Sequence, residues 1–133
     1  MYYVFLVIFG ILGAISRYSI SLVIHDTAFP LATLLINVLG CFLLAFITQF
    51  LSRIPKLSSR LVTAIGTGFV GSFTTFSTFS LESMHLIQTG QLFAAFLYLL
   101  MSGLGGFMAC GLGYRFSKWL LIRGRKGVLQ HAD

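Results

Sequence analysis

The chain has 133 residues and a formal net charge of +6, with 57% hydrophobic and only 9% charged residues. A soluble domain carries about 25% charged residues, so this composition excludes an ordinary soluble globular protein. The mean hydropathy is +0.95, and the length suits one domain. The sequence therefore predicts a single all-α integral membrane domain.

Four apolar segments are long enough to cross a bilayer as helices, which takes about 20 residues. They cover about 2–24, 30–51, 59–86 and 91–122, and a basic C-terminal tail follows at 123–133. The second segment begins with Pro30, which suits a first helical position. The fourth is longer than a bilayer requires, so we expect it to be tilted or to extend past the membrane surface.

Lysine and arginine are concentrated on one side of the predicted topology. With four spans, both termini and the connection between spans two and three share one face. The cations of that face are Arg53, Lys56, Arg60, Lys118, Arg123, Arg125 and Lys126, whereas the other two connections hold no Lys or Arg. By the positive-inside rule this face is cytoplasmic. The topology also accounts for the tail "RGRKG", so we expect no nucleic-acid partner.

Residue patterns that support catalysis are missing from the sequence. We find no paired carboxylates, no phosphate-binding glycine loop and no nucleophile motif, and no zinc-site spacing among Cys, His, Asp and Glu. Cys41 and Cys110 both fall within spans, where small packing residues are the simpler interpretation. We therefore expect that the chain is not an enzyme.

The third predicted span contains an unusual stretch, "GFVGSFTTFSTF", at 68–79. Gly68 and Gly71 weaken a helix, and the Ser and Thr hydroxyls of the stretch can replace backbone hydrogen bonds lost at a break. Irregular backbone at membrane depth is tolerated only where protein or a water-filled cavity shields it. We therefore expect a broken third helix that faces protein or a cavity.

Beyond the expected break, Phe76 and Phe79 are three residues apart and share a helix face. Such a pair is normally core packing. Alternatively, the positive ring edges form a mild anion site when both are turned to one point. Asn37, near the centre of span two, either adds a neutral donor to that site or bonds across to a neighbouring helix. The combination suits a small anion that must bind weakly enough to leave again.

Polar residues also recur along the fourth span, where Tyr98, Ser102 and Gly106 share one face. Close packing through small residues is part of the explanation, but it does not explain a tyrosine hydroxyl in line with a serine. Arg17 either attracts anions at a vestibule or snorkels to the membrane interface. We expect Glu82 to orient neighbouring groups, because a bare carboxylate would repel an anion.

The stretch "GFVGSFTTFSTF", together with "GILGAISRY" (10–18) and "ATLLINVLGCFLLAF" (32–46), resembles the Fluc, or CrcB, family of fluoride channels. The resemblance covers nearly the whole chain, with the motifs in order. It implies a multi-pass protein of the bacterial inner membrane that exports toxic fluoride passively. It also implies an antiparallel dimer of inverted subunits, with two narrow pores lined by both chains.

The resemblance further implies roles for individual residues. By this resemblance the anion pathway comprises Asn37, Phe76, Phe79, Tyr98 and Ser102, and we add the hydroxyls of Thr75, Ser77 and Thr78 because they lie in the same stretch. Gly106 departs from relatives that carry a further serine. A structural sodium ion, which is not transported, is expected on the backbone carbonyls of Gly71 and Thr74. Hard cations prefer such oxygen ligands.

The charge bias conflicts with an antiparallel dimer of identical chains. Insertion in both orientations is easiest when Lys and Arg are balanced between faces, and here the connections and tail place them on one face only. We expect a homodimer, because this chain alone retains every pore motif that we match. A heterodimer with a similar chain of opposite bias is the alternative.

Two other functions serve as alternatives to a fluoride channel. Small multidrug transporters also have four spans, but that family relies on a Glu in its first span, and here no acidic residue precedes Asp26. A scaffold subunit without transport activity would have no functional need for Asn37 or for the two rings.

Overall fold

The computed structural model describes residues 2–24, 29–55 and 57–130, with the backbone alone over 124–130. Within these residues the fold is helical and contains no strand. Of the cations assigned to the basic face, Lys56 and the side chains of Arg125 and Lys126 lie outside this description. The prediction of an all-α fold is confirmed.

Three long helices account for the first, second and fourth predicted spans: α1 (Tyr2–Val23), α2 (Leu31–Leu51) and α6 (Leu92–Gln130). The third predicted span is divided into α3 (Ser59–Thr63), a π-helical stretch (Ala64–Val70), α4 (Gly71–Phe73) and α5 (Phe76–Gln88). α6 continues to Gln130, so part of the predicted tail extends the last helix.

The long helices have the length and composition of membrane spans. Tyr2–Val23, Leu31–Leu51 and Leu92–Arg123 are each long and apolar enough to cross a bilayer, with mean hydropathies of 1.9, 2.4 and 1.8. The third segment does not qualify as one continuous helix, because its pieces are short. These properties are those of an integral membrane protein built from helices.

α1 packs against the π-helical stretch and α4 through glycines. A Cβ atom at Gly13 would meet the carbonyl oxygen of Phe69, and one at Gly68 would lie 2.7 Å from the carbonyl oxygen of Leu6. Small residues let membrane helices approach this closely. Gly68 therefore serves helix packing, and the backbone at this position is helical.

α2 and α6 form the most extensive helix pair. A Cβ atom at Gly113 would meet the carbonyl oxygen of Phe42, and one at Gly106 would lie 3.2 Å from the Sγ atom of Cys41. Gly106 and Gly113 thus allow α6 to pack closely against α2, as expected of small residues between membrane helices.

α5 joins this pair at the end where α2 begins. Its Leu86 packs in an apolar cluster with Leu34 of α2 and with Ala95 and Tyr98 of α6. Phe79 of α5 is half-buried against the same cluster. The cluster fixes the position of α5 beside the start of α6, which places the candidate site.

Candidate functional site

The third segment breaks at Thr74 and Thr75. Thr74 has φ −77° and ψ 157°, and Thr75 has φ −144° and ψ 118°, so both residues are extended between α4 and α5. The glycines suggested by the sequence do not form the break, since Gly71 is helical with φ −64° and ψ −32°. The break therefore follows Gly71 by three residues.

Asn37 of α2 satisfies the backbone at the break. Its Nδ2 donates to the carbonyl oxygen of Thr75 at 3.0 Å, and its Oδ1 accepts from the Thr75 N–H at 2.9 Å. Backbone groups removed from water must find such partners. One N–H of the Asn37 amide is left for another acceptor, so support of the break and donation to an anion are compatible.

Two carbonyl oxygens at the break lack their usual helical donors. In a continuous helix the N–H of Thr75 would donate to Gly71, but here it donates to Asn37. The N–H of Thr78 would donate to Thr74, but it donates to Thr75 Oγ1 at 3.3 Å. The carbonyls of Gly71 and Thr74 therefore lose their normal helical donors.

Free carbonyl oxygens are suitable ligands for a hard cation such as sodium. The residues predicted to hold the ion thus fit it in donor chemistry, through the backbone oxygens of Gly71 and Thr74. Side chains offer no comparable alternative, because no group of three or more His, Cys, Asp or Glu residues that could hold a metal ion occurs in the described part of the chain.

An open cleft of about 440 Å³ lies beside the break. Asn37, Gly71, Thr74 and Phe76 are among the residues that line it. Gly40 of α2 also lines it, and a Cβ atom there would collide with the Cγ2 atom of Thr74. Glycine at this position allows the broken backbone to lie directly against α2.

The two predicted rings lie next to each other but in different surroundings. Phe76 and Phe79 have ring centroids 6.0 Å apart at an interplanar angle of 39°. The side chain of Phe76 is 79% exposed in the single chain, whereas Phe79 lies 5.1 Å from the ring of Tyr98. The pair thus leads from the surface of the single chain towards α6.

The hydroxyls at the start of α5 form a connected cluster. Thr75 Oγ1 donates to Thr78 Oγ1 at 3.0 Å and lies 3.3 Å from Ser77 Oγ. Thr75 is buried, while Ser77 is exposed. Because Thr75 Oγ1 also accepts from the N–H of Thr78, it acts as the N-cap of α5.

Glu82 connects three helices through its carboxylate. Thr33 of α2 donates to Oε1 at 2.9 Å, and the fully buried Tyr98 of α6 donates to Oε2 at 2.8 Å. Glu82 thereby orients the Tyr98 hydroxyl, the kind of role the sequence suggested for it. Sequence reasoning missed Thr33, although a signal was present: Thr33 precedes Asn37 by four residues and shares its helix face.

Two further predicted residues have no such partners. Ser102 lies one turn beyond Tyr98, and its buried Oγ has no hydrogen-bond partner within the described residues. Arg17 is half-buried in α1, and no hydrogen bond or ion pair of its side chain is found in the described part of the molecule. Asn37, Thr75, Phe76 and Thr78 thus meet at the break, while Arg17 lies apart on another helix.

Several known proteins that share one functional name are similar to this chain over most of its length. A protein of Bacillus cereus named fluoride-specific ion channel FluC 1 is 52% identical over 122 residues, covering 90% of this chain and 89% of the relative. FluC 1 of Bacillus anthracis shows the same identity and coverage. Fluoride-specific ion channel FluC 2 of Listeria innocua serovar 6a is 47% identical over 128 residues, covering 96% of this chain and 99% of the relative.

These relatives are named as ion channels and not as enzymes, in agreement with the expectation from the sequence. Residues 4–114 match the family described as CrcB-like protein, Camphor Resistance (CrcB). The match covers most of the chain and includes α1, α2, the broken third segment and most of α6. The identification made from the three sequence motifs is confirmed: the chain belongs to the CrcB family.

Proposed function

We propose that this protein is a fluoride-selective ion channel through which toxic fluoride leaves the cytoplasm passively, which lowers intracellular fluoride and confers resistance. The observation that carries the proposal is the 52% identity, over 90% of this chain, to a protein named as a fluoride-specific channel. The helical, membrane-spanning fold of this chain supports it.

The arrangement at the break suits a small anion. The edges of Phe76 and Phe79 carry partial positive charge, and Asn37, which lines the same cleft as Phe76, retains one neutral N–H. A fully charged partner would hold the ion tightly, whereas these neutral groups bind weakly enough to release it. A narrow path excludes larger anions, and hydroxyls must replace the water that fluoride holds strongly. Thr75, Ser77 and Thr78 supply hydroxyls at the start of α5.

α6 provides the continuation of the path. Phe79 contacts Tyr98, and the Ser102 hydroxyl one turn further is buried without a partner in the described residues. A buried polar group without a partner is costly, and a permeating anion would satisfy it. We therefore assign Tyr98 and Ser102 to the pathway, with Glu82 and Thr33 orienting Tyr98. Arg17 is assigned to a vestibule because its half-buried charge has no partner in the described structure.

We also propose a structural sodium ion at the break, which is not transported. The freed carbonyls of Gly71 and Thr74 support it, because they offer the oxygen ligands that a hard cation prefers. When bound, the ion would neutralise the negative ends of carbonyl dipoles that no helix bond satisfies. Gly71 is exposed in the single chain, which leaves room for oxygen atoms from a second subunit.

The proposed assembly is an antiparallel dimer of four-span subunits in the bacterial inner membrane. The ring of Phe76 is largely exposed in the single chain and borders an open cleft, and this supports a second copy of the chain packing over both. The relatives come from bacteria. We favour a homodimer because this chain carries all the proposed pore residues. The alternative is a heterodimer, because the excess of Lys and Arg on one face favours a single orientation of this chain in the membrane.

Fluoride efflux from liposomes reconstituted with this chain alone tests the proposal. Robust efflux supports a channel formed by the homodimer. If this chain alone gives no fluoride efflux and addition of a second chain of opposite charge bias restores it, the channel is a heterodimer. Efflux that requires a proton or sodium gradient would contradict passive conduction.

A further inference from the structure

A polar pocket lies between α2 and α6, far from the broken segment. It has a volume of about 520 Å³ and is lined by Gln49, Arg53, Tyr114, Lys118, Leu121 and Ile122. Lys118 follows Tyr98 by 20 residues on one helix, which separates them by about 30 Å at 1.5 Å per residue. The pocket is therefore distinct from the proposed anion pathway.

The cations of this pocket have no counter-charge among the residues that the structure describes. Arg53 and Lys118 make no ion pair or hydrogen bond with any residue that the structure describes. The one acidic side chain among those residues, Glu82, is engaged by Thr33 and Tyr98. Two positive charges thus share one pocket without a protein carboxylate, which leaves them available to an anionic ligand.

Two neutral hydrogen-bond donors in the pocket are also unused. Gln49 is half-buried and Tyr114 is 48% exposed, and neither side chain bonds to the described part of the protein. The amide of Gln49, which is partly removed from water, would normally find a partner. Together with Arg53 and Lys118, they form a set of donors suited to several oxygen atoms of one ligand.

The residues in and beside the pocket are typical of the headgroup region of a bilayer. Arg53 comes two residues after the end of α2, and tyrosine and tryptophan are enriched at the membrane–water interface. Tyr114 is part of the pocket, and Trp119 lies on the same stretch of α6 with the guanidinium of Arg123 4.9 Å from its ring centroid. Leu121 and Ile122 provide an apolar wall for a hydrocarbon chain.

Aromatic packing holds the two walls of the pocket in place. Phe46 of α2 lies 5.8 Å from Phe116 of α6, and stacked rings continue from Phe46 to Phe50 at 5.3 Å and from Phe116 to Trp119 at 6.0 Å. Gln49, Tyr114 and Lys118 are thus presented by packed helices, with Arg53 just beyond the end of α2, which reduces the cost of ordering them around a ligand.

We propose that this pocket binds an anionic phospholipid, with the phosphate between Arg53 and Lys118. Gln49 and Tyr114 donate to the remaining oxygens, and the first carbons of an acyl chain lie against Ile122. Basic pockets between membrane helices at the surface of the bilayer have this chemistry. The site is a lipid site rather than a phosphate site, because an apolar wall and interfacial aromatic residues border the charged groups.

Lipid retention tests the proposal directly. The full-length protein is reconstituted into bilayers of equal parts phosphatidylglycerol and phosphatidylcholine with matched chains, extracted into mild detergent, and analysed for retained lipid by mass spectrometry. The wild type should retain phosphatidylglycerol selectively. R53Q/K118Q should lower this retention by roughly tenfold or more, because each basic group contributes appreciably near an anionic surface.

The control variant R60Q/R115Q removes the same charge outside the pocket and should retain lipid like the wild type. R53K/K118R keeps the charges and should also bind, which guards against misfolding as the cause of a loss. Equal retention of both lipids by the wild type, or equal losses in the two glutamine variants, would overturn the proposal. Displacement of the lipid by millimolar inorganic phosphate would also overturn it, since a free phosphate would then be the ligand.

Discussion

The side-chain amide of Asn37 makes two hydrogen bonds with the backbone of Thr75. Its Nδ2 donates to the carbonyl oxygen at 3.0 Å, and its Oδ1 accepts from the N–H at 2.9 Å. The break in the third segment is thus stabilised by a residue 38 positions earlier. The same pairing withdraws the Thr75 N–H from Gly71 and exposes a carbonyl oxygen. A single asparagine therefore links the irregular backbone, the proposed cation site and the proposed anion site.

Replacing Asn37 with Ala tests this support of the break. N37A leaves the N–H and carbonyl of Thr75 without their partner, and an unsatisfied buried group costs about 1–3 kcal/mol. We expect the free energy of unfolding to fall by about that amount, measured as thermal stability in detergent, together with loss of flux. T48A is the control, because the Thr48 hydroxyl bonds only to its own helix. Lost flux with unchanged stability would contradict a supporting role for Asn37.

The ends of α1 and α2 were predictable from hydropathy, because a bilayer imposes a minimum apolar length, whereas α6 continues past its expected end to Gln130. α1 and α2 begin and end within about one residue of the expected spans. The position of the break was not predictable from local sequence. Gly68 and Gly71 suggested it, but Gly68 is needed for contact with α1, and the extended residues follow at Thr74 and Thr75.

The hydrogen-bond partners of the site residues could not be predicted from the local sequence either. Ring pairs at helical spacing can be seen in a sequence, and Phe76 and Phe79 do lie side by side. The bond from Thr33 to Glu82 spans 49 positions, and only the packing of α2 against α5 brings the two together. Spacing identifies residues on one helix face, whereas contacts between helices require the tertiary structure.

Glycines on α6 should differ sharply in their tolerance of alanine. A Cβ atom at Gly113 would meet the carbonyl oxygen of Phe42, whereas one at Gly111 meets nothing within 4 Å. G113A should lower stability by about 1–3 kcal/mol through overpacking. G111A should leave it unchanged or raise it by up to about 1 kcal/mol, because alanine favours helix. Equal thermal midpoints for the two variants in detergent would refute the α2–α6 packing described above.

The rings of Phe76 and Phe79 should be required for flux rather than for folding. The double variant F76I/F79I keeps apolar bulk but removes the positive ring edges. We expect fluoride efflux to fall at least about tenfold, which corresponds to about 1.4 kcal/mol, while the proposed dimer remains intact by size-exclusion chromatography. F107I changes a ring that is 81% exposed outside the site and should conduct normally. If the double variant still transports fluoride normally, the two rings serve only to pack the protein and are not required in the anion pathway.

Sodium should stabilise the assembly without being transported. Its proposed ligands are the backbone carbonyls of Gly71 and Thr74, so a side-chain change such as T74A is a weak test. Exhaustive exchange of sodium for a large organic cation should lower thermal stability and flux, and adding sodium back should restore both, since a ligand that binds only the folded state stabilises it. The sodium site is refuted if prolonged depletion leaves dimerisation and flux untouched.

The central claim is selective, passive conduction of fluoride. Proteoliposomes of the purified chain, loaded in parallel with potassium fluoride or potassium chloride, can be diluted into medium without either anion. Valinomycin then balances the charge, and ion-selective electrodes follow efflux. A narrow path lined by neutral donors and ring edges predicts rapid fluoride efflux that stops when valinomycin is omitted, with chloride retained in the vesicles. Equal rates for the two anions would contradict this account.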